Sequence, residues 1–315
     1  MNRDDLPGKP VDRSRRNLLR LALAAGAVAA VPAIGAEKSA APLRRAIPHS
    51  GERIPALGLG TSQTLNVGPD EAERAPLREV LKRFVALGGT LIDTSPMYGA
   101  AETVIGDLAA EAGVQQALFY ATKVWTTGEQ AGIRQMETSM RRMRVSRVDL
   151  MQVHNLVDLD THMRTLRAWK EQGRIRYHGI THYTESAYDD LERALRTEKP
   201  DFVQLNYSLS SRQAERRLLP LAQELGIAVL VNRPFEKAGL FGRVQGKPLP
   251  AWAAEFDCAS WAQFFLKFIL AHPAVTCAIP ATSKVKHLED NMQAGLGRLP
   301  DAATREKMAQ LVRTF

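Results

Sequence analysis

Three short apolar runs in the sequence each carry one ionisable side chain near the end. TLID closes on Asp93, YATKV holds Lys123 and MQVHN holds His154. A phenol, Tyr98, follows the first of them in the stretch TLIDTSPMYG. Each residue alone has an ordinary explanation. Asp93 could cap a helix, Lys123 could reach solvent along its stem, and His154 beside Asn155 could be a satisfied core histidine. Repetition counts against those explanations, because burying an unpaired charge is too costly to recur by accident. Asp93 and Lys123 on neighbouring strands can pair, with Tyr98 lying against the ammonium. A free phenol, with a pKa of about 10, is a poor acid at neutral pH. A nearby ammonium favours the phenolate, and Asp93 would hold that ammonium in place. Such a set can protonate a carbonyl oxygen as a hydride arrives at its carbon, with His154 orienting the carbonyl by hydrogen bonding.

The elements that must position these groups alternate with unusual regularity. IPHSGERIPALGLGT reads as a hairpin, with turn residues Ser50 and Gly51, running into a first strand that ends near Gly60. DEAERAPLREVLKRFVALG then shows helical spacing of Leu77, Val80, Leu81 and Phe84. Strands TLID, LFYATKV, VDLMQVHN, IRYHGIT, DFVQLNY, IAVLVN and VTCAIP follow, each with a helical segment after it. The strands are short, apolar and rich in Val, Ile and Leu, as parallel strands covered by helices should be. Eight strand–helix units predict an α/β fold, a (β/α)8 TIM barrel with an N-terminal β-hairpin, in which chemistry sits at the C-terminal strand ends. An open doubly wound sheet is the alternative. Gly58 and Gly60 start a dinucleotide-like glycine loop, but position 63 is Gln63 and no helix begins there, so that signal is weak.

The set LGLGT, LIDTSPMYG, ATKV and VHN, in that order, resembles the aldo-keto reductase family over essentially the whole chain after its N-terminal segment. The resemblance implies an NADP(H)-dependent oxidoreductase that reduces an aldehyde or ketone to an alcohol. Tyr98 is then the proton donor, with Asp93, Lys123 and His154 around it. The same resemblance assigns Gly60 and Thr61 to the cofactor site. It places Thr181 and His182 where the family has Ser-Asn on the nicotinamide amide, and it matches Gln204 to the family's glutamine. Asn232 and Arg233 stand where a tyrosine usually stacks on the nicotinamide. IPATSKVKHLEDN keeps the phosphate-binding frame, with Thr282, Ser283, Lys284 and Asn291, and His287 stands where arginine is common. These departures keep a second reading open, a non-catalytic NADPH-binding barrel acting as sensor or partner module. A metal hydrolase built on His154, His178 and His182 is a third, but no H-x-H or carboxylate cluster accompanies them, so no metal is expected.

Composition supports a soluble globular protein, with 45% hydrophobic and 24% charged residues. The net charge of +8 is scattered among acidic residues, as in SMRRMRVSRVD, without stacking aromatics, so nucleic acid is not an expected partner. Residues 1–36 read as a twin-arginine signal: Ser14, Arg15, Arg16 and Leu18 precede an Ala-rich stretch that ends at Ala36. An ordinary membrane anchor is the competing reading, but the run from Leu21 to Ala36 falls short of the roughly 20 residues that a spanning helix needs. The expected organisation is a signal over 1–36, a linker over 37–46 and the barrel over 47–315. The expected location is the periplasm, with the twin-arginine export machinery as partner and a monomeric barrel acting on a small carbonyl compound. Cys258 and Cys277 are expected to be small buried hydrophobes rather than a disulfide or zinc pair. The short C-terminal tail suggests an open pocket bordered by the loop from Glu236 to Asp257, whose Phe241, Leu249 and Trp252 either receive substrate or pack on the barrel.

Overall fold

The computed structural model describes residues 41–315. The predicted signal, 1–36, and the first part of the linker lie outside them. The described chain begins with an antiparallel hairpin, β1 (Arg44–Ala46) and β2 (Arg53–Pro55), with Arg44 opposite Pro55 and Ala46 opposite Arg53. The linker expected over 37–46 therefore gives up its last three residues to a strand. Distant backbone holds them. The Arg45 guanidinium donates to the carbonyls of Leu270 (2.7 Å) and Pro273 (3.2 Å), and the Leu43 N–H donates to Gly295 O (2.8 Å).

Eight parallel strands follow: β3 (Leu59–Gly60), β4 (Leu91–Asp93), β5 (Phe119–Val124), β6 (Val148–His154), β7 (Ile175–Thr181), β8 (Phe202–Asn206), β9 (Ala228–Asn232) and β10 (Val275–Ala278). Each pairs with the next in sequence. The ends of the sheet meet. Gly58 N–H donates to Ala278 O (2.9 Å), Ala278 N–H to Ala56 O (2.9 Å) and Gly60 N–H to Pro280 O (3.1 Å). Parallel bridges Leu57–Ala278 and Gly60–Ala281 complete the closure. The structure is thus a barrel and not an open sheet.

Helices α1 (Glu71–Ala86), α2 (Ala101–Glu111), α3 (Glu129–Met143), α4 (Leu159–Glu171), α5 (Tyr188–Glu198) and α6 (Leu218–Glu224) fill the successive crossovers. A short α7 (Gly239–Arg243) lies in the long loop after β9. It is followed by α8 (Trp261–Leu270), α9 (Val285–Gln293) and a last helix, α10 (Ala302–Arg313). Side-chain caps set several starts: Asp70 accepts from Ala72 N–H, Ser260 from Gln263 N–H and Asp301 from Thr304 N–H.

The strand period of two divides the core into two layers. Ile92, Met151, Val153, Ile180, Val203 and Leu205 face the helices. Leu91, Phe119, Ala121, Leu150, Tyr177 and Phe202 fill the barrel interior, where Ile47 and Ile54 of the hairpin join them and plug its floor. The same parity decides where the charged residues go. Asp93 stands two residues beyond Leu91, Lys123 two beyond Ala121 and His154 four beyond Leu150. All three therefore point inward, above the apolar floor.

The barrel seam explains the glycine in the middle of the LGT segment. A Cβ on Gly60 would sit 2.7 Å from the Ile279 carbonyl oxygen, which belongs to the backbone and cannot swing aside. Gly60→Ala should therefore lower stability by about 1–3 kcal/mol. Chemical denaturation would check this, and an unchanged midpoint would mean that the seam tolerates a side chain.

Candidate active site

Lys123 and Asp93 form the centre of the barrel mouth. The Lys123 ammonium is wholly buried and donates to Asp93 Oδ2 (2.7 Å) and to the Thr94 carbonyl (2.7 Å). Burial works against its charge, but Asp93, and after it Tyr98, outweigh that, so its pKa stands above the ordinary lysine value. The other carboxylate oxygen, Asp93 Oδ1, accepts from Gln204 Nε2 (2.8 Å) and Gln152 Nε2 (3.2 Å). Three hydrogen bonds thus orient this carboxylate, one at Oδ2 and two at Oδ1.

Tyr98 lies over the ammonium, with Lys123 Nζ 5.1 Å from the ring centroid. The ring is half-buried and sits at the start of the turn into α2. Gly99 makes that turn possible. It has φ +61, and any Cβ there would run into Asn66, whose Oδ1 accepts from Ala100 N–H (2.9 Å). His154 stands edge-on to Tyr98, with ring centroids 6.3 Å apart, and Trp125 lies 6.4 Å from His154 on its other side. Burial, with Lys123 and His182 adding repulsion, holds the His154 pKa down at about 3. The imidazole is therefore neutral at any working pH, a hydrogen-bond donor and not a general acid.

Of the residues expected to hold the cofactor, the structure brings together Thr181, Gln204 and Asn232. Thr181 Oγ1 and Asn232 Nδ2 both donate to Gln204 Oε1, at 3.3 and 3.4 Å. This ties them to Asp93 through the other end of the same glutamine. Asn232 Oδ1 is buried with no partner among the described residues. An acceptor left open in a ring of carboxamides fits an incoming amide N–H, as a nicotinamide would present. Thr61 is used differently: its hydroxyl donates to the Asp93 carbonyl (2.9 Å) and locks β3 to β4. His182 stays outside the carboxamide ring, its Nδ1 engaged by Thr184 N–H (3.3 Å). Its ring lines a groove of about 410 Å³ with Asn155, Leu156 and Asp190. Arg233, with φ 51, reaches back to donate to the Tyr183 carbonyl (3.2 Å) and lies against that ring.

At the opposite side of the mouth, Lys284 is the N-cap of α9, and its N–H donates to Thr282 Oγ1 (3.1 Å). Ser283 lies between them, and Asn291 is two turns further on, buried. Lys286 and His287 occupy the first turn, exposed, and that turn holds no acidic residue. Cations at the positive end of a helix dipole are unfavourable unless an anion joins them. Free N–H groups there are what a phosphate binds.

The third sequence reading, a metal site, fails on geometry. His178 pairs in register with Met151, on the outer face of the barrel, where Asp201 and Lys170 surround it. It cannot meet His154. Of the loop residues considered for substrate, Phe241 packs on Phe235 and Phe265, and Trp252 on Phe264 and Phe256. They belong to the wall around α8. Both cysteines are buried and unpaired, as expected. Sequence reasoning missed Gln152 and Ser95. Gln152 carried a signal, since it stands two residues before His154 and so shares its inward face. Ser95 accepts or donates at His154 Nδ1 (3.3 Å) from the loop after β4, where no periodicity marks it.

Comparison with known proteins gives a consistent picture. The family model described as the aldo/keto reductase family matches residues 56–308. A methylglyoxal reductase of Escherichia coli is 29% identical over 256 residues, spanning 79% of this chain and 88% of its own. Among solved structures, an aldo/keto reductase of Klebsiella pneumoniae in complex with NADP and acetate is 26% identical. It has a TM-score of 0.71 and covers 83% of this chain and 93% of its own. An aldo-keto reductase of the same organism in complex with NADPH is 25% identical, with a TM-score of 0.72 over 86% and 95% of the two chains.

The buried His154 has a measurable consequence in acid. An unfolded histidine protonates near 6.5, whereas His154 in the fold does so near 3. Its contribution to stability is complete above the unfolded value and is lost as pH falls through that window. Urea midpoints of His154→Gln should therefore decline less steeply than those of the parent between about pH 6 and 4. Equal slopes would show that His154 protonates freely in the folded protein.

Proposed function

This chain belongs to the aldo/keto reductase family, and from that premise we propose that it reduces an aldehyde or ketone to an alcohol at the expense of NADPH. The observation that carries this reading is the desolvated Lys123–Asp93 pair beneath the Tyr98 ring at an open barrel mouth. When bound, NADPH supplies the hydride. Thr282, Ser283, Lys284, His287 and Asn291 would hold its phosphate end, and Thr181, Gln204 and Asn232 its nicotinamide carboxamide. Tyr98 gives its proton to the carbonyl oxygen, and Lys123 steadies the phenolate left behind. Asp93, fixed by Gln152 and Gln204, keeps that ammonium aimed. His154 offers a neutral N–H to the same oxygen and fixes its direction. A sensor or partner module would need none of this, because binding alone makes no use of a charge buried against a phenol.

The rim suits an apolar carbonyl compound. Met97, Trp125 and Tyr183, three of the large hydrophobic side chains exposed among the described residues, surround the mouth. Export to the periplasm by the twin-arginine route belongs to the same proposal and rests on the Arg15-Arg16 signature alone. That route suits a barrel that must fold around its cofactor before it leaves.

Two measurements address these readings. Tyr98→Phe should lower carbonyl reduction by about 10²–10⁴-fold, while NADPH binding, followed by fluorescence, persists. Full turnover in that variant would end the Tyr98 mechanism. Replacing Arg15 and Arg16 by lysine should retain the protein in the cytoplasm on cell fractionation, and unimpaired arrival in the periplasm would refute the export reading.

A further inference from the structure

We propose that Ser95 is a positioning residue that fixes the tautomer of His154, so that Nε2 carries the proton offered to the substrate oxygen. The inference rests on the carbonyl-reductase reading and adds to it a residue that the acid–base set does not include.

Hydrogen-bond accounting in a closed space decides between the two tautomers. Ser95 is fully buried, and its Oγ lies 3.3 Å from His154 Nδ1. The same oxygen already accepts the Met97 backbone N–H, at 3.2 Å. A serine hydroxyl has one proton to give and two lone pairs to offer. Two arrangements are possible. If Nδ1 carried the proton, Ser95 Oγ would accept from both Met97 and His154, and its own hydrogen would have no acceptor among the described residues. Leaving a buried donor unsatisfied is unfavourable. If Nδ1 is bare, the hydroxyl hydrogen points to it, and every group in the chain Met97 N–H, Ser95 O–H, His154 Nδ1 is satisfied. The neutral ring must then hold its proton on Nε2.

The rest of the ring's surroundings agree. Nε2 meets no protein partner among the described residues, so its N–H remains available for a ligand at the mouth. Burial, and after it Lys123, opposes a second proton on the ring, so the neutral form is the one whose tautomer matters. The outcome is a division of labour. Tyr98 delivers a proton, and His154 only donates a hydrogen bond, because its single proton is kept on the nitrogen that faces substrate. Ser95 is placed to do this by the loop after β4. The Tyr98 N–H donates to the Ser95 carbonyl (3.0 Å), so one short turn sets both the proton donor and the residue that orients its neighbour.

The test reads the tautomer directly. Long-range ¹H–¹⁵N correlation spectra of histidine-labelled protein, with His154 assigned by its loss in His154→Gln, should show the Nε2–H pattern in the parent. In Ser95→Ala that pattern should move toward the Nδ1–H form or an average. The kcat/KM for an aromatic aldehyde should fall by about tenfold, with the NADPH dissociation constant unchanged. Ser95→Thr, which keeps a hydroxyl, should retain the parent's pattern. An Nδ1–H pattern in the parent overturns the proposal. So does a Ser95→Ala protein that keeps the parent's pattern, or one whose tautomer shifts while kcat/KM does not. Should Ser95→Ala fail to fold, the parent spectrum alone decides. A parent with no carbonyl turnover would fail the reductase reading, while the spectra still decide whether Ser95 sets the tautomer.

Discussion

An ammonium ion enclosed in a barrel is the constraint around which the upper half of this molecule is arranged. Taking a lysine and an aspartate out of water costs several kcal/mol for each ion, and their attraction offsets this only when the remaining hydrogen-bonding capacity is also met. Here Gln152, Gln204 and the Thr94 carbonyl supply three further hydrogen bonds to the pair. A packed apolar pair in the same place would hold the barrel together as well or better. The pair is therefore poorly explained as a stabiliser and well explained as a device that keeps a positive charge under Tyr98. The floor serves the same end. Phe119, Tyr177 and Phe202, sealed by Ile47 and Ile54, close the barrel beneath the pair to water.

The loops that border the mouth carry the conformational burden of the fold. Of the eleven non-glycine residues with positive φ among those described, Asn155, Leu156, Asp158, Arg233, Glu236, Lys237 and Ala238 lie in the segments just after β6 and β9. Left-handed backbone is unfavourable for such residues by about 1–2 kcal/mol each, and it persists where the surroundings over-determine it. Ser208 does part of that work by donating to Glu236 Oε1 (2.7 Å). The regular strands below end in His154 and Asn232 and give these loops a rigid base.

Much of this was legible in the sequence because the strand period of two is strict. Once Leu91, Ala121 and Leu150 are known to face inward, the positions of Asp93, Lys123 and His154 follow. What was not legible depends on contacts between distant residues. Arg44, Arg45 and Ala46 look like polar linker, but they pair with Pro55, Ile54 and Arg53, and Arg45 is anchored by the carbonyls of Leu270 and Pro273, more than two hundred residues away. Thr61 sits in a motif that suggests cofactor, yet its hydroxyl is spent on the Asp93 carbonyl. His178 and His182 look equivalent to His154 in composition. Register sends the first to the outer face, and the turn at Thr184 takes the second into a side groove.

The two ends of the cofactor site differ in kind, and this bears on where its affinity resides. The proposed phosphate end places Lys284 and Lys286, with His287 beside them, on a helix terminus that is itself positive, where the two ammonium groups are unfavourable until an anion arrives. The nicotinamide end offers hydrogen bonds from a ring of carboxamides and a threonine, without the tyrosine that the family usually stacks there. Arg233 in that stretch is turned toward Tyr183. On the proposed reading, binding energy would be concentrated at the remote, non-reacting part of the cofactor. The reactive ring would then be oriented by Asn232, Gln204 and Thr181. Because Gln204 also holds Asp93, the same amide that would align the ring aligns the ammonium under Tyr98. Positioning of the hydride source and positioning of the proton source would in this way be a single hydrogen-bonded problem, with one side chain, Gln204, common to both.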